Sequence, residues 1–187
     1  MAATESNMLE LGTVAPGFSL PDADGVVHSL ADNASATLVM FICNHCPFVK
    51  HVRAEFARLG NDYGPQGVAI YAINSNDLDN YPQDGPDAMR RESADLGYTF
   101  PYLLDADQSV AQAYKAACTP DFYVFDSDLR LVYRGQLDAA RPSNQEPVTG
   151  RDIRAALDAV LAGETVNEDQ VPSIGCNIKW KPGNEPS

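Results

Sequence analysis

The residues best equipped for chemistry are Cys43 and Cys46, separated by Asn44 and His45 and followed at once by Pro47. An apolar run, Leu38-Val39-Met40-Phe41-Ile42, leads into this motif, and Phe48, Val49, Val52, Phe56 and Leu59 leave it at helical spacing as far as Gly60. The pair therefore sits where a buried strand becomes a helix, with Pro47 in the first turn, where a missing N–H costs nothing. That turn carries unpaired N–H groups and a partial positive charge, which favour a thiolate over a thiol. His45 adds a donor or a positive charge beside the sulfurs. A thiolate is the nucleophile of both disulfide exchange and peroxide reduction. Cys43, Cys46 and His45 are thus the expected catalytic residues, with no cofactor and no metal. Cys43, the first cysteine of the turn, is expected to be the more exposed and to attack, leaving Cys46 to resolve; in peroxide reduction the roles exchange.

Zinc is the main competing chemistry, because Cys43, His45, Cys46 and His51 are four nominal ligands in one short stretch. Adjacent His45 and Cys46 point in different directions, however, and the Cys46-to-His51 spacing does not fit one helical face. Pro47 in place of a histidine excludes c-type haem attachment. A pair of inert core cysteines is the other bland reading. Two further thiols, Cys118 and Cys176, are candidates for auxiliary redox roles. Cys118 reads also, and more commonly for a buried free cysteine, as a small apolar residue. Cys176 lies in a tail that folds back either as a carrier of a resolving thiol or as a flap, with Trp180 packing on the body. Arg141 is a candidate for an activating guanidinium, whereas Lys50 and Arg53 read as solvated helix charges.

The elements that must position these groups follow from pattern. Phe18-Ser19-Leu20 and Val26-Val27-His28 flank a turn-rich cluster and predict a strand pair. Thr37–Ile42 and Val68–Ile73 predict buried strands, Asp87–Leu96 a short helix after the polar loop Asn80–Pro86, and Ser109–Ala116 another helix after a strand at Tyr102–Leu104. Phe122–Phe125 and Leu131–Tyr133 read as a hairpin, and Asp152–Leu161 as an amphipathic helix closed by Gly163. This order predicts an α/β fold, a central mixed sheet flanked by helices, with antiparallel edges from the late hairpin. The chain divides into a lead-in (1–13), one domain (14–163) and an irregular tail (164–187) that packs on it.

Bulk properties exclude more than they identify. Among 187 residues, 44% are apolar, enough for a proper core. The net charge of −13, from 26 acidic and 13 basic residues, makes nucleic acid and anionic membrane surfaces poor partners. Residues 1–7 lack a basic, then apolar, export pattern, so a cytoplasmic location is expected. In that reducing compartment, cysteines are reactive or metal-binding more often than structural.

With strand, CxxC and helix in place, the chain resembles the thioredoxin superfamily. Val14-Ala15-Pro16-Gly17-Phe18-Ser19-Leu20-Pro21-Asp22, with Gly25, is similar to the N-terminal signature of AhpC/TSA-type peroxiredoxins and their TlpA-like relatives. Cys118-Thr119-Pro120-Asp121 resembles the superfamily's Thr-Pro segment, which implies a cis Pro120 lying against the cysteines, with Thr119 and Pro120 shaping a substrate groove. The stretches Phe41–His51 and Pro172–Lys181 are similar to a peroxiredoxin-like branch, so the resemblance covers roughly Leu11 to Pro186. It implies a thioredoxin-like fold, a thiol, disulfide or peroxide substrate and a dithiol electron donor. His45 resembles the histidine of Cys-x-His-Cys oxidants, where it stabilises the thiolate. The sequence departs from thioredoxins at Ile42 and Thr37, where those carry Trp and a buried Asp. It departs from typical peroxiredoxins at Cys43 and Val39, where those carry Thr and Pro, and in having no arginine near Cys118-Thr119.

Overall fold

Two runs rich in β-branched and aromatic residues build the centre of the molecule, and the remaining elements cover their two faces. The computed structural model describes residues 3–185; Met1, Ala2, Pro186 and Ser187, at the extreme ends of the expected lead-in and tail, lie outside the described residues. In chain order the elements are β1 (Ala3–Glu5), β2 (Ser19–Pro21), β3 (Val27–Ser29), β4 (Ala36–Phe41), α1 (Pro47–Tyr63), β5 (Val68–Asn74), α2 (Pro86–Leu96), β6 (Tyr102–Leu104), α3 (Ser109–Ala113), β7 (Cys118–Thr119), β8 (Asp121–Phe125), β9 (Leu131–Gly135), α4 (Arg151–Ala162) and β10 (Ile174–Asn177).

The main sheet has the order β6-β5-β4-β8-β9. β4, β5 and β6 run parallel, β8 is antiparallel to β4, and β9 is antiparallel to β8. Every residue of β4 is buried, as a strand covered on both faces requires. Alternation sorts its side chains: Leu38 and Met40 join a core with Val49, Phe56, Met89 and Leu157 from α1, α2 and α4. Val39 and Phe41 join a second core with Tyr71, Tyr114, Tyr123 and Phe125, closed by Phe18 and Leu20 from the β2–β3 hairpin. Among the described residues no helix is long and apolar enough to cross a membrane.

Four expectations need correction. Helix α1 does not stop at Gly60 but runs to Tyr63; Gly60 is there for close packing, since a Cβ would lie 2.6 Å from Thr99 Oγ1 and 2.9 Å from Phe100. α3 ends at Ala113 rather than Ala116. The late hairpin supplies one sheet edge only, because β8 lies inside the sheet between β4 and β9. The tail is not wholly irregular. Its β10 lies between β1 from the lead-in and β7, in a second, antiparallel sheet of order β1-β10-β7.

Candidate active site

β4 delivers the chain to the site and α1 carries it away, so the CxxC loop is fixed at both ends. Ile42 N–H still bonds Ile73 O at 2.9 Å, and Cys46 occupies the cap position of α1, with Pro47 in the first turn. Between these ends the loop is fastened to one buried carboxylate. Asp84 Oδ1 accepts the amides of Asn44 (2.9 Å) and His45 (3.0 Å), and Oδ2 accepts His45 Nδ1 (2.5 Å) and Asn76 Nδ2 (2.8 Å). Asp84 is fully buried; four donors compensate a carboxylate that has lost its water. Tyr102 donates to Asn44 Oδ1 at 2.8 Å. The His45 ring stacks on Tyr81 with centroids 5.6 Å apart, and Lys179 Nζ lies 5.7 Å from the Tyr81 centroid. With Nδ1 held on Asp84, the other ring nitrogen, Nε2, is buried and unpartnered.

The sulfurs gather against Thr119 at the end of β7. Cys43 Sγ lies 3.4 Å from Thr119 Oγ1, and Cys46 Sγ lies 3.2 Å from Thr119 O. The Thr119–Pro120 peptide is cis. In the β10–β7 pairing, Cys176 is the partner of Thr119 and Asn177 that of Cys118. The tail thiol therefore joins Cys43 and Cys46 in one cluster. Exposures of 1% for Cys43, 0% for Cys46 and 3% for Cys176 correct the expectation of an exposed first cysteine. The reason is twofold: Asp84 draws the loop inward, and β10 closes over it.

The surroundings favour an anion on Cys46 over one on Cys43. The pKa of Cys46 is lowered to about 4, first by the Cys43 thiol donating to it, then by Cys176 and the Val49 amide at the start of α1, against the opposing effect of burial. The Cys46 side chain makes no capping hydrogen bond, so the Val49 amide acts as a nearby dipole. The Thr119 carbonyl opposes this assignment, since it welcomes an S–H and repels an anion. Cys43 is pushed up as the donor in the same contact, by burial, and by the Asp84 charge. Cys176 is raised to about 12 by burial and by its contact with Cys46.

Other expected residues are placed apart. Cys118 is fully buried, its Sγ 3.6 Å from Pro120 O, and its pKa is raised by burial and then by Asp121. Asp121 itself is fully buried with Oδ1 unpartnered; burial pushes it up to about 7. Arg141 does not serve as an activating guanidinium, because its NH groups are engaged by Asp138 O, Ala140 O and Gln136 Oε1. Arg53 is not merely solvated but ion-pairs with Glu92 at 3.1 Å, joining α1 to α2. His51 is exposed on α1, so the four nominal zinc ligands do not converge. Cys43, His45 and Asp84 do place donor atoms within 4.8 Å of one another, although a cation there must compete with the four donors already on Asp84.

Pattern reading missed Asp84, Asn76 and Tyr102, because a polar loop gives no sign that it will be buried. The clue was indirect: Ser75-Asn76-Asp77 directly follows a buried strand that ends at Asn74, and all four residues are buried.

A mixed sheet with a dithiol at the end of its central strand, facing a cis-proline, defines a thioredoxin-like fold built for thiol-based redox chemistry. Residues 11–134 match the AhpC/TSA family, and the chain belongs to it. An uncharacterized conserved protein from Geobacillus kaustophilus has the same fold, with a TM-score of 0.95 and 61% identity over 98% of both chains. The thiol-disulfide oxidoreductase ResA of the same organism is 27% identical over 67% of this chain and 68% of its own length. A Mycobacterium tuberculosis protein, named only as a candidate peroxiredoxin, is 29% identical over 60% of this chain and 68% of its own.

Proposed function

We propose that the chain is a thiol–disulfide oxidoreductase in which the Cys46 thiolate attacks and Cys43 resolves, the reverse of the order expected from sequence. What supports this is the place of Cys46 at the cap of α1, in one buried cluster with Cys43 and Cys176, where neighbouring thiol and amide dipoles hold its pKa down. Attack by Cys46 on a substrate disulfide gives a mixed disulfide and one free thiol. Cys43 then has to lose its proton to displace the second thiol. His45 stands beside it, its Nδ1 proton held on Asp84 and its Nε2 free of protein partners. In this reading the thiolate released in the first step takes the Cys43 proton, which keeps the second step from waiting on solvent. A dithiol donor then returns the Cys43–Cys46 disulfide to the reduced state.

The test is dithiol-coupled reduction of a model disulfide by wild type, Cys46→Ser and Cys43→Ser. Cys46→Ser should abolish the reaction, whereas Cys43→Ser should still form a mixed disulfide on Cys46. A Cys46→Ser enzyme that retains full turnover would refute the proposal.

One observation favours a second reading, reduction of a small peroxide at Cys46. The thiolate is fully buried beside two other thiols, a setting that a small oxidant enters more readily than a folded substrate. Stoichiometric peroxide should then convert Cys46 to a sulfenate that a neighbouring thiol condenses with. Mass spectrometry that finds Cys46 unchanged after this treatment removes that reading.

A further inference from the structure

The groove beside the cis-proline, where a substrate chain is expected to lie, is already filled by the protein's own segment Ser173–Asn177. β10 pairs antiparallel with β7, setting Cys176 against Thr119. Ser173 Oγ donates to Pro120 O at 2.6 Å, and Ser173 N–H bonds Ser6 Oγ at 2.7 Å. Ile178 N–H bonds Ala117 O at 3.1 Å. Gly175 permits this approach, because a Cβ there would lie 1.9 Å from Thr119 O and 2.5 Å from its carbonyl carbon. What remains open between Phe48, Pro120, Arg141 and Ile174 is a cleft of about 10 Å³, far below the few hundred Å³ of a small-molecule site.

The segment that closes the groove carries a sulfur to the reactive centre. Cys43, Cys46 and Cys176 share one buried cluster, and Cys46 Sγ lies 3.2 Å from the carbonyl of Thr119, the residue with which Cys176 pairs. A strand that served only as a cover needs no thiol at this position.

Building on the exchange reaction proposed above, we propose that Cys176 is a second resolving thiol mounted on a latch, and that the Cys46–Cys176 disulfide seals β10 over the site. The Cys46 thiolate attacks a small disulfide RS–SR, forming Cys46–SR and releasing RS⁻, which takes the Cys176 proton. The Cys176 thiolate then attacks Cys46 Sγ; the Cys46–Cys176 bond forms and the second RS⁻ leaves, to be protonated by solvent. One substrate disulfide is reduced to two thiols and two protein thiols are oxidised. Attack by Cys43 on Cys46 Sγ afterwards moves the disulfide to Cys43–Cys46, hands the Cys43 proton to Cys176, and frees β10 without net redox change. The position of the disulfide therefore sets whether the groove is locked or able to open.

The experiment treats the reduced full chain and its Cys43→Ser and Cys43→Ala variants with one equivalent of glutathione disulfide. Non-reducing peptide mapping and hydrogen exchange of residues 174–177 follow. The proposal expects both variants to form the Cys46–Cys176 disulfide with no glutathione retained, and the amides of 174–177 to exchange at least about tenfold more slowly than in the reduced protein, a tethered strand opening less often. A stable Cys46–glutathione adduct with Cys176 still a thiol in both variants overturns it and leaves the dithiol reading intact. Cys46 found unmodified in every protein, wild type included, overturns both.

Discussion

Cys46 and Cys118 are both completely buried thiols, yet their chemistry diverges. Each lies near a residue paired with β10, and each is removed from water to the same degree. The pKa of Cys46 falls to about 4, whereas that of Cys118 rises. Burial alone penalises the charged form, which is what Cys118 experiences, with the Asp121 charge adding to it. Cys46 is buried too, but the neighbouring thiols of Cys43 and Cys176 and the amides of Val49 and Cys176 lower its pKa. Depth in the fold therefore does not mark the reactive sulfur. The direction of the neighbouring dipoles does.

The sharpest way to break this contrast is to remove the anion. Cys46→Ser should lower disulfide turnover by about 10³-fold or more, the usual consequence of losing a nucleophile, and steady-state rates with a chromogenic disulfide will show it. Gly175→Ala comes next. Its new methyl group cannot coexist with Thr119 O, so β10 should lift and alkylation of Cys46 by iodoacetamide should quicken by about tenfold, corresponding to about 1.4 kcal/mol of lost docking. Unchanged labelling would show that β10 does not cover the sulfur.

Titration tests the same contrast through its sign. The folded pKa of Cys46 lies below that of an unfolded cysteine, near 8.5, so its contribution to stability is complete above about pH 8.5 and disappears as pH falls toward about 4. Cys43, Cys118 and Cys176 are raised, so their contribution is present below about pH 8.5 and is lost above it. Urea midpoints of the reduced protein should therefore climb from pH 5 toward pH 8 through the cysteines' part of the profile, and the climb should flatten in Cys46→Ser. Thiolate absorbance near 240 nm should persist at pH 6 in wild type and vanish in that variant.

A smaller effect is expected at the carboxylate. Asp84→Asn removes the charge that holds Cys43 up while keeping an acceptor for the loop amides, so Cys43 should alkylate about two- to threefold faster at pH 8, equal to about half a kcal/mol. The least effect belongs to Cys118. Cys118→Ala should change turnover by less than about twofold and cost about 1 kcal/mol of stability, as a buried group of that size does. A large loss of turnover there would abolish the distinction between the two sulfurs.

Local pattern was sufficient for the elements that carry the site. The alternation of Leu38-Val39-Met40-Phe41 and the helical spacing from Phe48 to Leu59 are properties of neighbouring residues, so β4, α1 and the dithiol between them were legible. The β8–β9 hairpin and α4, capped by Gly163 at φ 70°, were legible for the same reason. Pattern could not find β1 or β10, which are three and four residues long and owe their extended form to each other and to β7.

The sequence by itself determined that two cysteines would stand at a strand-to-helix junction, since that depends on residues adjacent in the chain. Which of them is the better place for the charge was decided by Asp84 and Cys176, against the Thr119 carbonyl, groups brought from distant parts of the chain to within a few ångströms. Electrostatic interactions depend on separation in space, and chain folding alone sets that separation.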